Sequence, residues 1–113
     1  MSPITSHILD TACGCPATGI ETSLEFKDNG NWILLGKAAS NKDGRLSNLL
    51  PDNHKLLAGC YRIKFETGKY FSDKQIEAFY PYVEVVFELS KPSEHYHIPL
   101  LLSPFGYSTY RGS

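Results

Sequence analysis

Cysteine is scarce in this chain. Only Cys13, Cys15 and Cys60 occur in 113 residues, an odd number that fits no disulfide framework of the kind that holds small secreted domains together. One residue separates Cys13 from Cys15, a spacing at which a bridge is expected to be strained, so reduced and mostly buried thiols are expected. A Cys-x-Cys pair can bind metal, but no second pair and no His at ligand spacing follows it, so no metal is expected. Long apolar runs are lacking too: nothing approaches the roughly 20 residues of a membrane helix. Charge of one sign is not in excess. Eleven Lys and Arg stand against twelve Asp and Glu, a formal net charge of -1. Without a basic block or stripe, a phosphate-backbone partner has no electrostatic support. The N-terminus lacks a basic segment followed by an apolar core, and the C-terminus is not a Ser-Lys-Leu address. A cytoplasmic location is expected. Missing as well are a glycine-rich phosphate loop, a Gly-x-Ser-x-Gly elbow, a His-Glu-x-x-His motif and any evident pair of carboxylates.

What is present reads as a β protein, expected to form one domain over residues 1–113. Ile20, Thr22, Leu24 and Phe26 alternate with Glu21, Ser23 and Glu25, the period of a half-buried strand. Asn29-Gly30 follows, a strong hairpin signal because both residues tolerate positive φ, and Trp32 to Leu35 is the return strand. Asp43-Gly44 marks another turn. Tyr61, Ile63 and Phe65 alternate with Arg62, Lys64 and Glu66, and Val83, Val85, Phe87 and Leu89 alternate with Glu84 and Glu88. The last clear strand covers about His95 to Leu102, and a shorter one could hold Thr109 to Arg111. One helix is expected between them, opened by a capping box of Ser72 and Gln75, with Ile76 and Phe79 on one face and Pro81 as its stop. The pattern predicts an all-β antiparallel sandwich of seven or eight strands, immunoglobulin-like or prealbumin-like.

Several polar groups do not fit a plain sandwich. Tyr96, Ile98, Leu100 and Leu102 form a natural core face. His95, His97, Pro99 and Leu101 then point outward, as if lining a groove. Pro99 cannot donate a ladder hydrogen bond, which predicts an edge or a bulge near it. His7 shares a face with Leu9 and Thr11. Arg45 follows a tight turn, where its fork can grip a planar anion through two N–H groups. His54 follows Pro51-Asp52-Asn53, which is loop chemistry. The chain then ends in hydroxyls and a guanidinium, Tyr107 to Ser113, after the apolar run Ile98 to Leu102.

Four ordered segments together resemble the 5-hydroxyisourate hydrolase family, the transthyretin-like enzymes of urate breakdown. They are His7-Ile8-Leu9-Asp10 with Gly14-Cys15-Pro16-Ala17, then Gly44-Arg45-Leu46, then His95 to Pro104, and finally Tyr110-Arg111-Gly112-Ser113. The likeness spans nearly the whole chain. It implies a prealbumin-type sandwich that assembles as a homotetramer, a dimer of dimers, with sites in the channel between dimers. It also implies hydrolysis of 5-hydroxyisourate to 2-oxo-4-hydroxy-4-carboxy-5-ureidoimidazoline, without metal or cofactor. The implied catalytic residues are His7, Arg45, His97 and Ser113, and the implied substrate-binding residues are His7, Arg45, Tyr110, Arg111 and Gly112. In such a site one imidazole activates water while the other orients it or binds the ring, and which does which is left open. Arg45 would dock the ring and stabilise the developing charge. The alternative is a transthyretin-like small-molecule carrier without catalysis, whose channel should be lined mostly by aliphatic and hydroxyl groups. A third reading is an immunoglobulin-like interaction module, monomeric and without catalysis.

Overall fold

In the computed structural model, which describes residues 2–113, two β-sheets face each other across one apolar core. The chain runs β1 (Ile4–Asp10), β2 (Cys15–Pro16), β3 (Glu21–Asp28), β4 (Asn31–Ala39), β5 (Arg45–Leu46), β6 (Gly59–Phe65), α1 (Thr67–Asp73), β7 (Val83–Leu89), β8 (Tyr96–Ser103) and β9 (Gly106–Thr109). One sheet has the order β4-β3-β6-β7. The other has β2-β1-β8-β9, with β5 also pairing to β1. This is the expected sandwich with one short helix. All pairings are antiparallel except β1 with β8, which run parallel. Among the described residues no helix is long and apolar enough to cross a membrane.

Alternation decides the layering. Leu24, Ile63, Phe65, Val83 and Leu89 from one sheet meet Ile4, Ile8, Leu46, Leu100 and Leu102 from the other, all essentially inaccessible to solvent. Each such side chain contributes about 1.5–3 kcal/mol by leaving water. The β3–β4 hairpin turns on Asn29 and Gly30, with φ of 50° and 82°, the double positive φ that matches the twist of the flanking strands. Edge strand β4 leaves Ile33 and Leu34 exposed.

The helix differs from the sequence expectation. It begins at Thr67, after Glu66, which makes no side-chain capping bond. Ser72 and Gln75 lie at its exit instead of its entry. Gln75 takes a φ of 59°, and the N–H groups of Gln75 and Ile76 return to the carbonyls of Ser72 and Phe71, the closing pattern of a helix C-terminus. Ile76 and Phe79 are therefore exposed loop residues. Burial of Tyr70 and Phe71 against the core holds the helix in place.

The cysteines also differ from expectation. Cys13 and Cys15 are joined as a disulfide. The turn from Asp10 makes this possible: Gly14 adopts a φ of 71°, its N–H returns to the Asp10 carbonyl, and the two Cα atoms come within 5.5 Å, inside the bridging range. Cys13 is exposed, and Cys15 and the free Cys60 are half-buried.

Candidate functional site

Strand register builds the site. On β1, Ile4, Ser6, Ile8 and Asp10 are buried toward the core, and Thr5, His7 and Leu9 take the opposite face. His7 is in register with Arg45 of β5 on one side and with Pro99 of β8 on the other. Thr5 is in register with His97, and His97 bridges to Gly112. Two rows thus cross the same face of the sheet. Adjacent strands lie about 4.8 Å apart and adjacent rows about 6.6 Å apart, so His7, Arg45 and His97 fall within one small patch. A cleft of about 210 Å³ opens there, lined by Thr5, Arg45, His95, His97 and Ser113 among others.

Each member is held by its surroundings. The Asp43–Gly44 turn carries Arg45. Asn41 Oδ1 accepts the N–H groups of Asp43 and Arg45, both at 2.9 Å. Gly44 has a φ of 76°, and a Cβ there would collide with the carbonyl oxygen of Ile8, so the turn needs glycine. The same turn fixes His7, whose Nε2 lies 2.8 Å from the Asp43 carbonyl oxygen. A carbonyl only accepts, so Nε2 carries the proton and a neutral His7 keeps its lone pair on Nδ1. The Arg45 guanidinium is exposed and has no carboxylate partner among the described residues.

His97 is half-buried, with Nδ1 2.8 Å from the Thr5 hydroxyl. Burial lowers its pKa from the ordinary 6.5, and the neighbouring charges of His95, His7 and Arg45 lower it further. The imidazole therefore stays neutral, and able to accept a proton, to lower pH than a free histidine.

The chain end reaches the cleft because of Pro99 and Gly112. Of the edge or bulge expected near Pro99, the edge is not found, since Pro99 sits on an inner strand of its sheet, but the ladder is irregular beside it. Its carbonyl accepts the Thr109 hydroxyl at 2.7 Å, so its missing N–H faces the β9 side. There the ladder breaks after Thr109 and resumes at Gly112, whose N–H donates to the His97 carbonyl at 2.7 Å. A short strand at Thr109 to Arg111 was expected; the strand instead ends at Thr109. A Cβ on Gly112 would lie 2.7 Å from His97 Cδ2, so glycine lets the tail lie against the imidazole.

Tyr110 and Arg111 are placed elsewhere. They line a separate groove of about 290 Å³ with Val85, Phe87 and Ile98. Arg111 is drawn away from the cleft by Glu94, at 3.0 Å, and by the ring of Tyr96, over which it stacks at 4.3 Å. His54 is half-buried in its loop and does not line the cleft. Sequence reasoning missed Thr5 and Asn41, whereas His95, read from alternation as lining a groove, does line the cleft. Carrying the period of β1 back one step from His7 and Leu9 would have found Thr5. Asn41 is an ordinary turn residue without a distinguishing signal.

A second cluster carries metal-ligand types. Asp10, Cys13 and Cys15 hold their ligand atoms within 4.8 Å of one another. The two sulfurs are bonded together. The Asp10 carboxylate accepts from the N–H groups of Ala12 and Cys13 and from the Tyr70 hydroxyl. These donors leave it little capacity for a metal.

The family model described as HIUase/Transthyretin matches residues 4–112. The 5-hydroxyisourate hydrolase of Salmonella typhimurium is 48% identical over 107 residues, 95% of this chain and 78% of that protein. Among solved structures, Klebsiella pneumoniae 5-hydroxyisourate hydrolase superposes with a TM-score of 0.84 at 34% identity, covering 97% of this chain and 98% of the other. Transthyretin from Sparus aurata does so with a TM-score of 0.92 at 31% identity, covering 99% and 97%. Of the two sandwich types left open by the sequence, the fold is the prealbumin type. The chain belongs to the HIUase/transthyretin family.

Proposed function

We propose that this protein hydrolyses 5-hydroxyisourate at the cleft lined by Arg45, His97 and Ser113, with His7 beside it on the same sheet face, in register with Arg45. The observation that carries the reading is the pairing of a half-buried His97 imidazole, whose protonation burial disfavours, with an Arg45 guanidinium that has no carboxylate partner among the described residues, on one cleft wall. A carrier needs neither. Relatives that bear the hydrolase name, matched over most of this chain, support the same reading.

In the proposed reaction a water oxygen adds to a ring carbonyl carbon of the substrate. The ring C–N bond then breaks, the nitrogen takes up a proton, and the carbon becomes a carboxylate of the ureidoimidazoline product. His97 accepts the proton of the attacking water on Nε2, since Nδ1 faces Thr5. A positioned base of this kind contributes about 10²–10⁴-fold. Arg45 binds the flat, polar ring and neutralises charge on the carbonyl oxygen, worth about 10²–10³-fold. His7, anchored to Asp43, orients the ring, and the Ser113 hydroxyl completes the far wall with Gly112. Tyr110 and Arg111 shape the tail in place of touching substrate.

The assembly is proposed as a homotetramer, a dimer of dimers. Strands β7 and β9 each form one edge of their sheet and lie on the same side, since both border the groove that holds Tyr110. Val86 on β7 is 57% exposed. Open edges invite pairing, and a second copy would cover both at once. A cytoplasmic location belongs to the same proposal. It is checked by fractionating cells that make the protein and asking which fraction carries it.

The function is tested by adding the purified protein to freshly generated 5-hydroxyisourate and following its ultraviolet absorbance. Accelerated decay with one ureidoimidazoline formed per substrate supports the reading. Binding without acceleration would instead establish the carrier. Sedimentation at micromolar concentration tests the tetramer.

A further inference from the structure

Thr5 stands directly behind His97. Its side chain is nearly inaccessible, at 5% exposure, yet its hydroxyl meets two imidazoles: His97 Nδ1 at 2.8 Å and His95 Nε2 at 3.1 Å. The two rings are nearly parallel, 20° apart in plane, with centroids 6.4 Å apart. A hydroxyl carries one proton and two lone pairs, so it can donate to only one of these rings.

Two arrangements satisfy every group. In the first, His97 donates from Nδ1 to Thr5 and Thr5 donates to His95 Nε2. His97 then carries its lone pair on Nε2 and can act as a base. In the second, His95 donates from Nε2 to Thr5 and Thr5 donates to His97 Nδ1. A neutral His97 then holds its proton on Nε2 and cannot accept another. A third arrangement, with both rings donating, leaves the buried hydroxyl proton without an acceptor, which is costly. Protonating His95 removes the lone pair on its Nε2 and so disfavours the first arrangement.

We propose that Thr5 is a positioning residue that couples the two imidazoles, so that the tautomer His97 presents to the cleft is set by the protonation of His95. This rests on the reading of His97 as the base. The other charged and titratable groups around the pair are His7 on β1, Arg45 on β5, and the Glu94–Arg111 ion pair, whose arginine also lies 3.5 Å from the His95 carbonyl oxygen.

The test compares wild type with Thr5→Val, Thr5→Ser and His95→Ala. Each is read by the pH profile of kcat and by ¹⁵N NMR of the imidazole nitrogens. Thr5→Val is expected to lower kcat about tenfold or more, since a base acts only in its correct tautomer, with KM changed less than about threefold. It also lowers the share of His97 protonated at Nδ1. Thr5→Ser restores both. His95→Ala leaves Thr5 only His97 to donate to, so the His97 proton moves to Nε2 and kcat falls. His95→Ala decides the matter if Thr5→Val fails to fold. An unchanged His97 tautomer in Thr5→Val or in His95→Ala would overturn the coupling. Full activity of His97→Ala would instead defeat the catalytic reading, and the NMR result would still decide the coupling.

Discussion

Gly112 and His97 are locked together twice: the glycine N–H donates to the histidine carbonyl at 2.7 Å, and the space a Cβ would need at Gly112 is filled by the imidazole edge. Backbone pairing and side-chain contact thus tie the chain end to a cleft residue. Gly112→Ala is expected to push the imidazole aside or release the tail. Displacements near 1 Å at a reacting centre can cost about 10²-fold in rate, whereas an exposed tail contributes little to stability. Steady-state kinetics and a melting curve on the same sample check both halves. An active Gly112→Ala protein would separate the tail from the site.

The acid limb of kcat/KM is expected to fall below the ordinary histidine pKa of about 6.5. Burial and then the charges of His95, His7 and Arg45 disfavour the imidazolium of His97. The base is therefore still competent where a free histidine would be mostly protonated. The linked effect on folding has the matching sign. The unfolded chain binds this proton more readily, so stability from this group is lost as pH falls through the ordinary value and below it. Rates between pH 5 and 8 test the first statement. An acid limb above 6.5 would mean that protonation of a group other than the His97 imidazole limits the rate.

The Asn41–Arg45 turn is expected to act on two cleft residues at once. Asn41→Ala removes the acceptor for the Asp43 and Arg45 N–H groups, at about 1 kcal/mol for each bond. It also loosens the carbonyl to which His7 is anchored. Gly44→Ala forces an L side chain into a left-handed backbone, costing about 1–3 kcal/mol. Both should raise KM and lower kcat together, and Asn41→Asp should recover much of the loss. Denaturant unfolding beside kinetics separates the two effects.

Much of the fold was legible where local chemistry decides it. Asn29-Gly30 announced its hairpin, and the alternation in β3, β6, β7 and β8 matched the core faces. The helix was misplaced because Ser72 and Gln75 have capping-box spacing, while the real N-terminus at Thr67 has no cap to read. Its position comes from burial of Tyr70 and Phe71, a tertiary effect that local propensity does not encode. The Cys13–Cys15 bridge was missed because it depends on the left-handed turn at Gly14. In the site, the outward face of His97 could be read from alternation, and His7 could be placed only on a face shared with Leu9 and Thr11. Their meeting with Arg45 could not, because it depends on the long-range pairings of β1 with β5 and β8.

Stability and chemistry should separate at Tyr70. Its hydroxyl donates to Asp10 Oδ2 at 2.9 Å, and burial with this bond and the Asp10 charge pushes its pKa up to about 12. Tyr70→Phe leaves that oxygen of a buried carboxylate without its donor, costing about 1.5–3 kcal/mol. The expected result is a lower unfolding midpoint with unchanged kcat, measured by urea titration and by assay.

The most direct test is the rate at which His97→Ala and Arg45→Ala remove freshly made 5-hydroxyisourate, measured with the assembly state verified in the same sample. The account predicts losses of at least about 10²-fold for each, in proteins that assemble like wild type. Wild-type rates in either variant would contradict it.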